Sequence, residues 1–130
     1  MSRRHREQLP TLYHGTSRPS WRRKRARPSF LYLASDLGDA WNYAYEQAAR
    51  DEESGRSPEP IVLEVDLADL TELEFHPDHG GVDGDRARGM PVDYDLPWRE
   101  SLRRYGGMSV RGLIDQHKRR FRPAPPDPNP

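Results

Sequence analysis

Leu12-Tyr13-His14-Gly15-Thr16-Ser17 is the stretch on which the reading of this chain turns. Its first half is apolar and aromatic, which favours a strand over Thr11–His14, and it stops abruptly at Gly-Thr-Ser. A glycine at a strand end leaves the main chain open to a ligand, because no Cβ stands in the way. The imidazole delivered to that stop donates or accepts a hydrogen bond near neutral pH. The stretch therefore predicts a histidine beside open backbone, with two hydroxyls following.

Working outward, Phe30-Leu31-Tyr32-Leu33-Ala34 alternates as a second strand, with Phe30, Tyr32 and Ala34 on one face and Leu31 and Leu33 on the other. Ser35 is placed to cap a helix whose stripe is Leu37, Ala40, Trp41, Ala44 and Ala48, running to about Arg50. Tyr43 lies off that stripe. Residues 51–60 read as a loop, and Ile61–Leu67 as a strand with Ile61, Leu63, Val65 and Leu67 toward the core. A turn and a short strand follow to Phe75. Residues 76–97, rich in Gly, Asp and Pro, read as an irregular excursion. Trp98–Tyr105 is a short helix and Met108–Ile114 a last strand. Arg18–Pro28 reads as a loop or at best a short helix, carrying Trp21 and the run Arg22-Arg23-Lys24-Arg25. Strands outnumber helices, so the class is α+β. The ordered domain is expected over 11–121, between a disordered basic lead-in at 1–10 and a disordered Pro-rich tail at 122–130.

The 130 residues suit one domain, with 33% hydrophobic and 32% charged residues around a small core. The absence of cysteine excludes disulfides and thiolate zinc sites. No apolar run approaches membrane-spanning length, and a soluble, cytoplasmic protein with no membrane partner is the expectation. The net charge of zero divides into +8 over residues 1–35, −13 over 36–100 and +5 over 101–130. Basic ends either bind phosphate or nucleic acid, or neutralise the acidic middle within one fold. Arg103, Arg104, Arg111, Lys118, Arg119, Arg120 and Arg122 gather near the last strand, either to steer a phosphate or nucleic-acid partner or as a solvated C-terminal strand and helix edge.

His14-Gly15, Tyr32 and Tyr43 bring an imidazole, a bare backbone and two phenols onto successive elements, enough to hold a flat heteroaromatic ring. The plainer reading leaves His14 on the surface and both tyrosines in the core. The ordered pattern Tyr13-His14-Gly15-Thr16, Tyr32 and Asn42-Tyr43-Ala44 resembles the ADP-ribosyltransferase superfamily, in its His-Tyr-Glu branch. That branch contains diphtheria toxin, the poly(ADP-ribose) polymerases and the rifampin ADP-ribosyltransferases. The resemblance covers residues 11–49, and Ile61–Leu67 more loosely.

The resemblance implies two small antiparallel sheets flanking a cleft, and an enzyme that transfers ADP-ribose from NAD to an acceptor, protein or nucleic acid, with release of nicotinamide. It fits a toxin or a phage or defence modifier. It implies that His14 holds a ribose hydroxyl, that Gly15 meets the carboxamide, that Tyr32 and Tyr43 sandwich the ring, and that Thr16 lies in the same pocket. The branch's third element is a glutamate opening a late strand, and here that place, Tyr105-Gly106-Gly107-Met108-Ser109, holds no acid. Gly107 stands at the expected position. Ser109 is the shifted substitute, with Glu100 on a short helix and Asp93 and Asp95 in the loop as the other candidate acids. Two alternatives share the fold: a binding module for NAD, ADP-ribose or another nucleotide without turnover, and an RNA 2′-phosphotransferase-like enzyme that consumes NAD. His76-Pro77-Asp78-His79, with Asp83 and Asp85, is read as a surface turn rather than a metal site, so no metal is expected. His5 and His117 are assigned no role.

Overall fold

Strand β1 runs Thr11–Ser17 in the computed structural model, which describes residues 8–129. It reaches three residues beyond the expected end at His14 because pairing, rather than propensity, sets its length. Seven antiparallel partners line up with β3 (Pro60–Asp66), from Thr11 opposite Asp66 to Ser17 opposite Pro60, and Gly15 keeps the ladder opposite Val62. Ser17 then caps the short helix α1 (Arg18–Arg22), its Oγ accepting from the Ser20 amide at 3.2 Å.

Strand β2 (Ser29–Ala34) pairs along its whole length with β5 (Gly107–Gly112), and β5 with β4 (Glu74–Pro77). The six strands form one antiparallel sheet in the order β4-β5-β2-β1-β3-β6, where β6 is Arg122–Pro123. Two separate small sheets were expected. The single sheet nevertheless has a seam, since β1 and β2 share only the pair Tyr13–Ala34 and diverge beyond it. The α+β class stands on this arrangement.

Period-two alternation sends side chains to both faces of the sheet. One face buries Leu12, Leu31, Leu33, Leu63, Val65, Met108 and Val110, together with Leu67, Leu70, Ile114 and Phe121 from two 3-10 turns and the segment after them. The other buries Ala34 and Val62 under helix α2 (Leu37–Glu53), through Ala40 and Ala44. The β3 strand thus contributes Val62 to this second layer, which a one-sided strand reading leaves out. Asp36, not Ser35, caps α2, its carboxylate accepting from the Asp39 amide at 2.9 Å. Ser35 is drawn instead to the Gly106 carbonyl, bonded by its amide at 2.9 Å and its hydroxyl at 3.2 Å.

The excursion at 76–97 contains a helix, α3 (His79–Ala87), capped by Asp78. Gly80, Gly81 and Gly84 hid it, since each glycine costs a helix about 1 kcal/mol. Gly81 is there for packing: a Cβ would stand 2.6 Å from the ring of Tyr105, on helix α4 (Trp98–Tyr105).

The tail does not fit the disordered reading either. Arg122 and Pro123 pair with Glu64 and Leu63, the Ala124 amide bonds the Val62 carbonyl at 3.0 Å, and Trp41 Nε1 donates to the Pro125 carbonyl at 3.1 Å. Proline is tolerated here because an edge strand does not need every N–H. At the other end, Pro10 accepts from the Leu67 amide at 3.0 Å and Leu9 packs on the core. Residues 1–7 of the basic lead-in, with His5, lie outside the described residues.

Candidate functional site

Where β1 and β2 part, they open a cleft of about 410 Å³, lined by His14 and Gly15 from β1, Phe30 and Tyr32 from β2, and Ser109 from β5. Tyr43, Gln47 and Arg50 from α2, and Asp78, His79 and Gly80 from the head of α3, complete it. The volume is within the range of small-molecule sites, roughly 300–1,000 Å³.

His14 spans the seam. Its Nδ1 lies 2.8 Å from the Tyr32 carbonyl oxygen, which only accepts, so Nδ1 carries the proton and Nε2 keeps a lone pair. Burial holds the imidazole to a pKa of about 4; the Tyr32 carbonyl works against that shift and the nearby Arg25 charge adds to it. The ring is therefore neutral at physiological pH, an acceptor by Nε2. Trp21 braces it at 5.7 Å between ring centroids.

Tyr32 and Tyr43 meet edge-to-face, their centroids 4.9 Å apart at 61°. A flat ring stacked between them needs roughly 7 Å, two contacts of about 3.5 Å each. The expected sandwich is therefore closed, and Tyr43, at 43% exposure, is the partner free to swing. Burial pushes the Tyr32 phenol far up, as do its hydrogen bond with Tyr43 and the negative charges of Asp78 and Asp39. It stays a proton donor.

Gly15 lines the cleft, yet its want of a Cβ answers to α2 as well. A Cβ there would stand 1.8 Å from the Ala40 carbonyl oxygen. Thr16 is buried opposite Ile61 and does not line the cleft. Ser109 does, directly opposite Tyr32 on β5.

Gly107 is bare for a physical reason. A Cβ there would stand 2.1 Å from the Tyr32 hydroxyl, so the phenol fills the space that a side chain at the mouth of β5 would use. Glu100 pairs with Arg103 on α4, and Asp93 accepts from the Asp95 amide at 2.8 Å in an exposed loop; none of these acids lines the cleft. Asp78 does. Sequence reasoning placed it in a surface turn, because the helix that carries it was not seen. Gln47 and Arg50 were missed as well, although they fall at i+4 and i+7 from Tyr43 on one stripe of α2, a signal that could have found them.

His76 and His79 stack around Phe30 at 5.3 and 5.5 Å, and His76 bonds Glu74 at 3.0 Å. Among the described residues, no group of three or more His, Asp or Glu is arranged to hold a metal. Nor, among them, is any helix long and apolar enough to cross a membrane. His117 is mostly buried, its Nδ1 3.2 Å from the Leu113 carbonyl, a structural contact. In comparisons with known proteins, no family model, curated protein or solved structure matches this chain.

Proposed function

We propose that this protein binds NAD in the cleft between β1 and β2 and transfers its ADP-ribose to an acceptor, releasing nicotinamide. The observation that carries the reading is His14 bridging the seam as a neutral imidazole, bonded to the Tyr32 carbonyl at 2.8 Å. Its Nε2 lone pair suits a ribose hydroxyl, which donates. The phenols of Tyr32 and Tyr43 offer apolar faces to the nicotinamide once Tyr43 turns aside, and Arg50 offers a cation to the pyrophosphate. Ser109 supplies a hydroxyl beside Tyr32. In the reaction the C1′–N bond breaks with its electron pair kept by nicotinamide; the acceptor's nucleophile supplies a new pair to C1′ and gives up a proton.

Binding without turnover is the second reading, favoured by the bare Gly107 under the Tyr32 phenol. An RNA 2′-phosphotransferase-like activity has less support, since Arg50 is the one arginine or lysine lining the cleft among the described residues. Incubation with NAD and cell extract, with nicotinamide measured, decides among these. Wild-type protein is expected to release nicotinamide and His14→Ala to lose at least about 100-fold of that rate while staying folded. NAD binding without release would establish the binding module. Indifference to NAD would remove the proposal.

A further inference from the structure

We infer that Asp78 is the catalytic carboxylate of this cleft, an inference that rests on the NAD reading above. Breaking a ribose C1′–N bond leaves positive charge on C1′ and the ring oxygen in the transition state, and a fixed anion close by stabilises it. The His14 imidazole and the Tyr32 phenol are neutral here. Among the described residues Asp78 is the carboxylate that lines the cleft.

Strand register says how it comes there. Glu74, Phe75, His76 and Pro77 of β4 face Arg111, Val110, Ser109 and Met108 of β5. One step further, Asp78 falls across from Gly107, where β5 offers no side chain. A buried serine on α4 ties the two together: the Asp78 amide donates to Ser101 Oγ at 2.8 Å, and that hydroxyl donates to the Gly107 carbonyl at 2.7 Å. Asp78 Oδ1 accepts from the Gly80 amide at 3.1 Å, which fixes the carboxylate on its helix. Among the described residues, Oδ2 has no hydrogen bond or ion pair. The charge is also felt by the Tyr32 phenol, as expected of an anion on the same side of the sheet. Asp39 acts on Tyr32 too, but lines the adjoining groove with Asn42, Tyr43 and Glu46.

As nicotinamide leaves with the C1′–N pair, Asp78 faces the cation; the acceptor then bonds C1′ and its proton passes to solvent. Asp78→Asn tests this, because asparagine caps a helix as well as aspartate does and only the charge is lost. Nicotinamide release should fall at least about 100-fold, while the NAD dissociation constant moves less than about threefold. Asp78→Ser, a second capping residue, should behave alike, and Glu100→Gln should release at the wild-type rate. Circular dichroism confirms folding of each. Wild-type rates in both Asp78 variants, with His14→Ala inactive, would overturn the assignment and leave the NAD reading standing. Loss in Asp39→Asn with Asp78→Asn intact would also overturn it. Wild-type protein that binds NAD without release has no catalytic carboxylate, and protein that ignores NAD removes both readings.

Discussion

Holding an imidazole neutral across the seam has a thermodynamic consequence at His14. The unfolded chain takes up a proton there near pH 6.5, and the folded chain only near 4. Between those values the unfolded state binds more protons, so this contribution is complete above 6.5 and lost as pH falls toward 4. A shift of that size is worth on the order of 3 kcal/mol, at about 1.4 kcal/mol for each factor of ten. Several carboxylates here also sit below their usual range, among them Asp66 beside Thr11 and Arg122, and they too weaken the fold in acid. The His14 share is isolated by difference. Urea unfolding of wild type and His14→Gln at about pH 7.5 and about pH 4.5 should show the wild type losing roughly 2–3 kcal/mol more than the variant. Equal losses would mean that His14 is not held neutral by its surroundings.

Helix α2 meets β1 at small residues on both elements. Ala40 and Ala44 bring the helix backbone down onto Gly15, and the 1.8 Å separation between a Gly15 Cβ and the Ala40 carbonyl oxygen leaves no side-chain rotation to relieve it. Gly15→Ala is therefore expected to cost about 2–3 kcal/mol or more in urea unfolding, by prising α2 from the sheet. A variant as stable as wild type would show that the glycine serves the ligand alone. The sequence reading had the glycine's importance and only half its cause, since α2's approach is a tertiary fact with no local signal. The alternation in β2 was legible because Leu31 and Leu33 go to the core while Phe30 and Tyr32 face the other way, and the alanine stripe of α2 because one face of that helix is buried. Helix α3 was not, since Gly80, Gly81 and Gly84 erase its propensity and Gly81 is fixed by the Tyr105 ring. With that helix went Asp78. His14, Tyr32 and Tyr43 were readable in the first third of the chain, whereas their neighbour from α3 arrives only through the pairing of β4 with β5.

Across the whole molecule the charge blocks resolve into ion pairs between the ends and the middle. Arg18 pairs with Glu59, Arg120 with Asp69 at 3.6 Å, and Arg122 with Glu64 at 2.7 Å and Asp66 at 3.2 Å. These partly exposed pairs are each worth at most about 1 kcal/mol, so the hold on the C-terminal segment comes from elsewhere. Beyond β6 it lies along α2, with Trp41 donating to the Pro125 carbonyl and the Tyr45 hydroxyl bonding Asp127 at 2.5 Å. Proline-rich composition misleads here because it marks a chain unable to form a helix or a central strand, not one unable to dock. Such a chain is already extended, so little backbone entropy is lost when it lies down. Ending the chain after Pro123 removes the bonds to Val62, Trp41 and Tyr45, each worth about 0.5–1.5 kcal/mol. The melting temperature should fall by roughly 4–8 °C for each kcal/mol lost. Trp41 and Tyr45 point along a different stripe of α2 from Tyr43, Gln47 and Arg50, so NAD affinity should be untouched at temperatures where the shortened protein stays folded. An unchanged melting temperature would mean that the segment does not dock. A lowered NAD affinity in folded protein would mean that α2 passes strain from its outer stripe to the cleft.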